Sequence, residues 1–359
     1  MLLPVPGDES KTDLASMTDG ELTALAGELS LPRYRAGQLI AGVRAGRGID
    51  GLTDLPRALR DTLARRYGVP AVTVVRRQVS ADGTEKYLYG LGDGSRVEGV
   101  FMRYHHGNTL CISTQVGCRM GCAFCASGLD GLLRGLNPSE MLGEIAAAQA
   151  VTGCRVDGIV MMGTGEPLDN YDASLAFLRT VSSPAGFHIG QRHISLSTSG
   201  LVPGIRRLAK EDLGITLSVS LHAPNDALRS RLMPVNRRWP VAEVVGAATE
   251  YQQVTGRRVS YEYALIAGVN DTPACAEELA ALLAGREAHV NLIRLNKIAE
   301  SPFSPSAPPA VERFMELLEK RRINATLRRR LGADIDGACG QLRRSASHAP
   351  SGQKEEVKV

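Results

Sequence analysis

At 359 residues with 43% hydrophobic side chains, the chain can bury a sizeable core and, at roughly 150 residues per domain, has room for about two domains. It reads as a soluble globular protein, since no apolar run approaches the ~20 residues of a membrane span and Met1 to Asp8 lack the basic segment of a secretory leader. A net charge of +4 is too mild to imply a polyanionic partner by itself, and seven cysteines, odd in number and not spaced as a disulfide framework, fit a reducing cytoplasm.

The first 70 residues carry helical apolar spacing in three short pieces, 22–29, 36–43 and 59–67, punctuated by Pro32 and Pro56. This predicts a small helical module (1–70). Its Gly-rich turn at 46–51 suits backbone contacts to phosphate, or simply caps the fold. From 72 to 103 the pattern becomes alternating, with Asp82-Gly83 and Asp93-Gly94 as turn signals, which predicts a β-meander (71–103) carrying Glu98. Arginine pairs recur at 65–66, 76–77, 206–207, 237–238 and 257–258, with a triplet at 328–330. Such clusters neutralise phosphates or merely lie on solvated surfaces.

The meander leads into Cys118-Arg-Met-Gly-Cys122-Ala-Phe-Cys125, which brings three thiolates and no fourth to one loop. A closed zinc site wants four protein ligands and an ordinary four-iron electron carrier four cysteines, so three at this spacing imply a cluster with one iron open to substrate. Beyond the loop, predicted strands at 109–115, 158–162, 193–197, 215–221, 259–265 and 290–295 alternate with helical stretches at 139–151, 173–181, 241–253, 274–283 and 310–320. That alternation predicts an α/β fold with a parallel sheet. The tail, 345–359, is polar and predicted to be disordered.

The cysteine spacing resembles the signature of radical S-adenosylmethionine (SAM) enzymes. The resemblance implies a partial (β/α)6 barrel (104–335), a 4Fe-4S cluster on Cys118, Cys122 and Cys125, and SAM chelating the open iron before reductive cleavage to a 5′-deoxyadenosyl radical. Two more cysteines sharpen it. Cys111 stands seven residues before Cys118, and Cys339 lies in Asp334-Ile-Asp-Gly-Ala-Cys339, within the C-terminal loop 336–344. Together they resemble the paired functional cysteines of the RlmN/Cfr family of RNA adenosine methyltransferases, with Gly337 a mild departure from the usual Ala.

The resemblance implies the following roles. One SAM methylates Cys339; a second yields the radical that activates the S-methyl group, so two SAM molecules serve each turnover. Glu98, thirteen residues before Cys111, is the general base, and Cys111 releases the product, leaving a transient disulfide with Cys339 that a thiol reductant reopens. A radical route is needed because carbon 2 of adenine has no lone pair with which to attack a sulfonium methyl. Gly165, Glu166, Ser197, Ser220, Leu221, His222 and Asn296, all near predicted strand ends, match the family's SAM contacts, though turn capping also accounts for any one of them. The implied substrates are adenosine carbon 2 in 23S rRNA and in tRNA next to the anticodon. An electron donor such as flavodoxin or ferredoxin is implied too, with a monomeric enzyme and no membrane partner. The alternatives are carbon 8 of the same rRNA nucleotide, the Cfr type, and a zinc-stabilised RNA-binding protein without catalysis.

Overall fold

The computed structural model describes residues 11–296, 298, 300–332 and 334–335. Three helices open it, α1 (Asp19–Glu28), α2 (Arg33–Arg44) and α3 (Arg57–Arg66), and strands β1 (Thr12–Asp13) and β2 (Tyr67–Gly68) pair to tie the ends of the unit together. Helix α1 begins where the Thr18 hydroxyl accepts from the Glu21 N–H while the Glu21 carboxylate accepts from the Thr18 N–H, which satisfies two amides otherwise left open. The apolar stripes of the three helices meet in a core of their own that includes Leu14, Leu22, Leu39 and Leu63. Asp13 and Asp19 accept from Ser139 and Ser183, fastening this unit to the main body.

The main body contains β3 (Thr73–Val79), β4 (Glu85–Gly90), β5 (Arg96–Tyr104), β6 (Gly107–Cys111), β7 (Gln115–Gly117), β8 (Leu132–Gly135), β9 (Gly158–Met161), β10 (Ile194–Thr198), β11 (Thr216–Ser220), β12 (Val259–Leu265), β13 (Ala288–Arg294) and β14 (Asn324–Leu327). Among the described residues, ten of these form one sheet in the order β14-β13-β12-β11-β10-β9-β6-β5-β4-β3, while β7 and β8 pair separately. From β6 through β14 neighbours run parallel, and from β3 to β6 antiparallel, so the meander continues the barrel sheet. The ends do not meet, which leaves the expected incomplete barrel. Crossovers are made by α4 (Pro138–Thr152), α5 (Tyr171–Val181), α6 (Val202–Leu208), α7 (Asp226–Leu232), α8 (Val241–Thr255), α9 (Pro273–Leu283) and α10 (Pro308–Lys320).

Period-two alternation sorts the side chains. Leu196, Leu217, Val219, Tyr261 and Tyr263 enter the core under the helices, while their neighbours Ser195 and Ser218 hydrogen-bond at 2.9 Å on the other face. Two details differ from the sequence reading. The parallel run gains a seventh strand, β14, whose Asn-Ala-Thr-Leu carries little apolar signal and is recruited by pairing with β13. The predicted strand 109–115 stops at Cys111, because Ser113 turns aside to donate to the Glu98 carbonyl at 2.7 Å and Gln115–Gly117 pairs with β8. Among the described residues, no helix is long and apolar enough to cross a membrane.

Candidate active site

Parallel-barrel chemistry gathers at the C-terminal ends of the strands. There the structure has a cavity of about 340 Å³, walled by Cys111, the three thiols Cys118, Cys122 and Cys125, and by Gly165, Glu166, Ser197, Ser220, His222 and Asn296. Leu221 is fully buried and faces the core, and Glu98, 4% exposed on β5, is not part of the wall. Cys339 lies outside the described residues. The roomier hollow of about 850 Å³ at the opposite ends of the strands is walled by none of the predicted site residues.

The cysteine loop is braced at several points. Cys118 N–H donates to the Gly131 carbonyl and Ala123 N–H to Leu232, each at 2.9 Å, while Arg119 grips Asp169 with two nitrogens at 2.8 and 2.6 Å. Burial raises the Cys118 thiol to about 12, and burial together with the charges of Cys125 and Cys118 raises Cys122 further. Three thiolates this close and this dry need a cation to hold them. Among the described residues, no three His, Cys, Asp or Glu side chains close round a single metal ion. A four-iron cluster puts its three cysteines on three separate irons, so they need only ring a common cavity. Cys118, Cys122 and Cys125 line one cavity, as such a cluster requires. Ser127, beside Cys125 in the wall, has a buried hydroxyl oxygen without a protein partner.

Opposite the thiols, Gly163-Thr-Gly165-Glu166 leaves β9 and nests against the loop after β6, with Gly163 N–H donating to Ile112 at 3.0 Å and Thr114 N–H to Thr164 at 2.8 Å. Gly165 has φ +114°, and a Cβ there would stand 2.7 Å from Gln115 Cβ and from Thr114 Oγ1. Only glycine fits. The Glu166 carboxylate accepts from Ser199 N–H at 2.6 Å and Leu168 N–H at 3.0 Å, yet burial still raises it above the usual carboxylate range. An ammonium group arriving in the cavity would supply a positive charge to this buried carboxylate.

His222 holds φ +55°, an uncommon backbone conformation for a non-glycine residue. Its Nδ1 accepts from Ala264 N–H at 2.9 Å, which leaves Nε2 as the donor, and burial followed by the Arg229 charge drops it to about 3. The ring is therefore neutral, and it stands edge-on to Phe124 of the cysteine loop with centroids 4.9 Å apart.

Several residues at the site escaped the sequence reading. Arg229 of α7 is fully buried and donates to the carbonyls of Ser199, Ser220 and Leu221 at 2.6, 3.1 and 3.1 Å and to Asn236 Oδ1 at 3.0 Å, clamping the loop after β10 to the end of β11. Lys86 of β4 forms a buried ion pair with Glu98 at 3.9 Å. The turn 80–82 holds the chain five residues short of Cys339: the Ser80 hydroxyl and the Ala81 N–H donate to the Asp334 carboxylate, and Gly332 N–H donates to Asp82 at 2.9 Å. Arg294, Arg328, Arg329 and Arg330 form a cationic rim. Sequence clustering marked 328–330 but not its position over the cavity. No disulfide joins two of the described cysteines.

Residues 112–282 match the family model of the Radical SAM superfamily. The chain is 49% identical to a protein of Lachnoclostridium phytofermentans over 93% of its own length and 95% of that protein's, and 49% identical to one of Symbiobacterium thermophilum over 95% and 93%; both are named as dual-specificity RNA methyltransferases RlmN. Among solved structures it is similar to a radical SAM methyltransferase from Sphaerobacter thermophilus, with a TM-score of 0.87 and 45% identity over 92% of this chain and 98% of that one.

Proposed function

Because the chain belongs to the radical SAM RNA methyltransferases of the RlmN family, we propose that it methylates carbon 2 of adenosine in the peptidyl-transferase centre of 23S rRNA and of the adenosine next to the tRNA anticodon. The observation that carries this reading is the meeting of a three-thiol loop, Cys111 and an arginine rim on one cavity. The relatives' names, which speak of dual specificity toward RNA, support it as well.

In this reading Cys118, Cys122 and Cys125 hold a 4Fe-4S cluster, which when bound supplies the electron that cleaves SAM to a 5′-deoxyadenosyl radical. Glu166 and the Gly165 turn hold the methionine end of SAM, the neutral His222 donates one hydrogen bond, and Ser197, Ser220, the Leu221 backbone and Asn296 line its length. Cys339 carries the methyl group to the base, Glu98 takes the ring proton, and Cys111 attacks the sulfur to release the RNA, pairing transiently with Cys339. A thiol reductant reopens that pair. The arginine rim grips RNA phosphates, which makes binding salt-dependent. The enzyme works in the cytoplasm as a monomer, with a flavodoxin- or ferredoxin-type electron donor.

The test is Cys111→Ala, which should still methylate Cys339 but accumulate a covalent protein–RNA species on a denaturing gel. Free methylated RNA released at the normal rate would refute the role of Cys111. Cys339→Ala should abolish adduct and product alike.

A further inference from the structure

Lys86 is the unexpected charge of this fold. A fully buried lysine is rare, because removing an ammonium from water costs several kcal/mol, by order of magnitude, unless it is paired. The side chain of Lys86 is 1% exposed, and its Nζ lies 3.9 Å from Glu98 Oε1, itself on a side chain 5% exposed.

The register shows where that pair sits. Lys86 lies opposite Val100, and Val100 opposite Cys111, so the three form one row across β4, β5 and β6. Residues directly opposite on antiparallel strands share a face, and Val100 and Cys111 are both in the cavity wall. Glu98 is in the adjacent row on the same face, opposite Leu88. The other face of β4 has a separate network, with Glu85 taking Arg77, Arg103 and Tyr87. Glu98 is also held through its backbone. Ser113 Oγ donates to its carbonyl and accepts from Thr164 N–H at 2.8 Å, which ties it to the Gly163–Glu166 turn.

We propose that Lys86 is a positioning residue for the proton-removal step, holding the Glu98 carboxylate charged and in place on the sheet face it shares with Cys111. This rests on the reading of Glu98 as the base. Such a base must be ionised before it can accept a ring proton, and a carboxylate this dry needs a cation beside it to remain so.

The experiment compares Glu98→Gln, Lys86→Met and Lys86→Gln in the full-length chain, reconstituted anaerobically with iron and sulfide and given SAM, a chemical reductant and unmethylated RNA. Three readouts are taken: 5′-deoxyadenosine formed, covalent protein–RNA adduct, and methylated RNA. Both Lys86 variants should form 5′-deoxyadenosine at the native level, accumulate the adduct, and make methylated RNA on the order of tenfold or more slowly, a part of the 10²–10⁴ that a general base supplies. Glu98→Gln should do the same more strongly. If Glu98→Gln releases product without accumulating adduct, the base reading fails. If Glu98→Gln traps adduct while both Lys86 variants turn over normally, only the role of Lys86 is overturned. Loss of 5′-deoxyadenosine formation in both Lys86 variants also overturns it, since Lys86 would then serve the fold as a whole.

Discussion

Arg229 gives the sharpest test of how the fold builds the cavity. Its guanidinium satisfies three backbone carbonyls and one amide oxygen in a dry interior, at the junction of the strand ends that carry Ser197 and Ser220. Replacing it with Met fills similar volume but orphans those acceptors, at about 1–3 kcal/mol for each one left buried. Because an uncharged side chain also removes the cost of burying the ion, a net loss of about 4 kcal/mol is expected. At this chain length that corresponds to a fall in Tm of about 5 °C. Differential scanning fluorimetry measures it, with Arg206→Met as the control, since the Arg206–Glu250 pair lies on the surface and should leave Tm unmoved. SAM affinity, read by equilibrium dialysis, should drop with the stability. Arg229→Lys should not rescue either, because a point charge cannot reach the separate acceptors that a planar fork spans. If Arg229→Met melts with the control, the clamp contributes nothing and the reasoning fails.

Other substitutions probe other parts of the site. Gly165→Ala forces a Cβ to within 2.7 Å of Gln115 Cβ at a positive φ, and should weaken SAM binding about fivefold or more while leaving iron content unchanged, since even the backbone strain alone is worth about 1–2 kcal/mol. Cys125→Ala should lose the brown colour and iron of the anaerobically reconstituted protein, measured by visible absorbance and iron assay, with its far-ultraviolet circular dichroism retained. The tether before Cys339 gives a pH prediction. Burial would raise the Asp82 carboxyl, but hydrogen bonds from Gly332, Thr84 and Ser80 outweigh it and hold it at about 2, below the ordinary 3.8. Its stabilising contribution is therefore complete above about pH 4 and lost as pH falls toward 2. Amide exchange at Gly332, corrected for intrinsic rates, should show flat protection from about pH 8 to 4 in the native protein. Asp82→Asn should lose that protection at neutral pH.

Local features were legible in the sequence where chemistry and spacing coincide. The C-x3-C-x2-C run announces an open cluster site, and the resemblance marks Gly165 and Glu166 as ligand contacts; the structure puts both on one cavity. Cys111 was marked by the family resemblance, while its place at the very end of β6 was not, since the predicted strand ran on to 115. Lys86 and Arg229 were not, since a lysine in Glu-Lys-Tyr-Leu and an arginine in Leu-Arg-Ser-Arg look like any solvated cation until strands and helices from elsewhere enclose them. Asp82 advertised only a turn, and its grip on Gly332 spans 250 positions. Strand β14 escaped for a related reason: its pairing partner, rather than its own polar residues, makes it a strand.

The central claim is tested most directly by mass spectrometry of nucleosides from unmethylated 23S rRNA and tRNA after incubation with anaerobically reconstituted protein, SAM and a reductant. The account predicts 2-methyladenosine in both RNAs. Formation of 8-methyladenosine, or cleavage of SAM with neither RNA methylated, would contradict it.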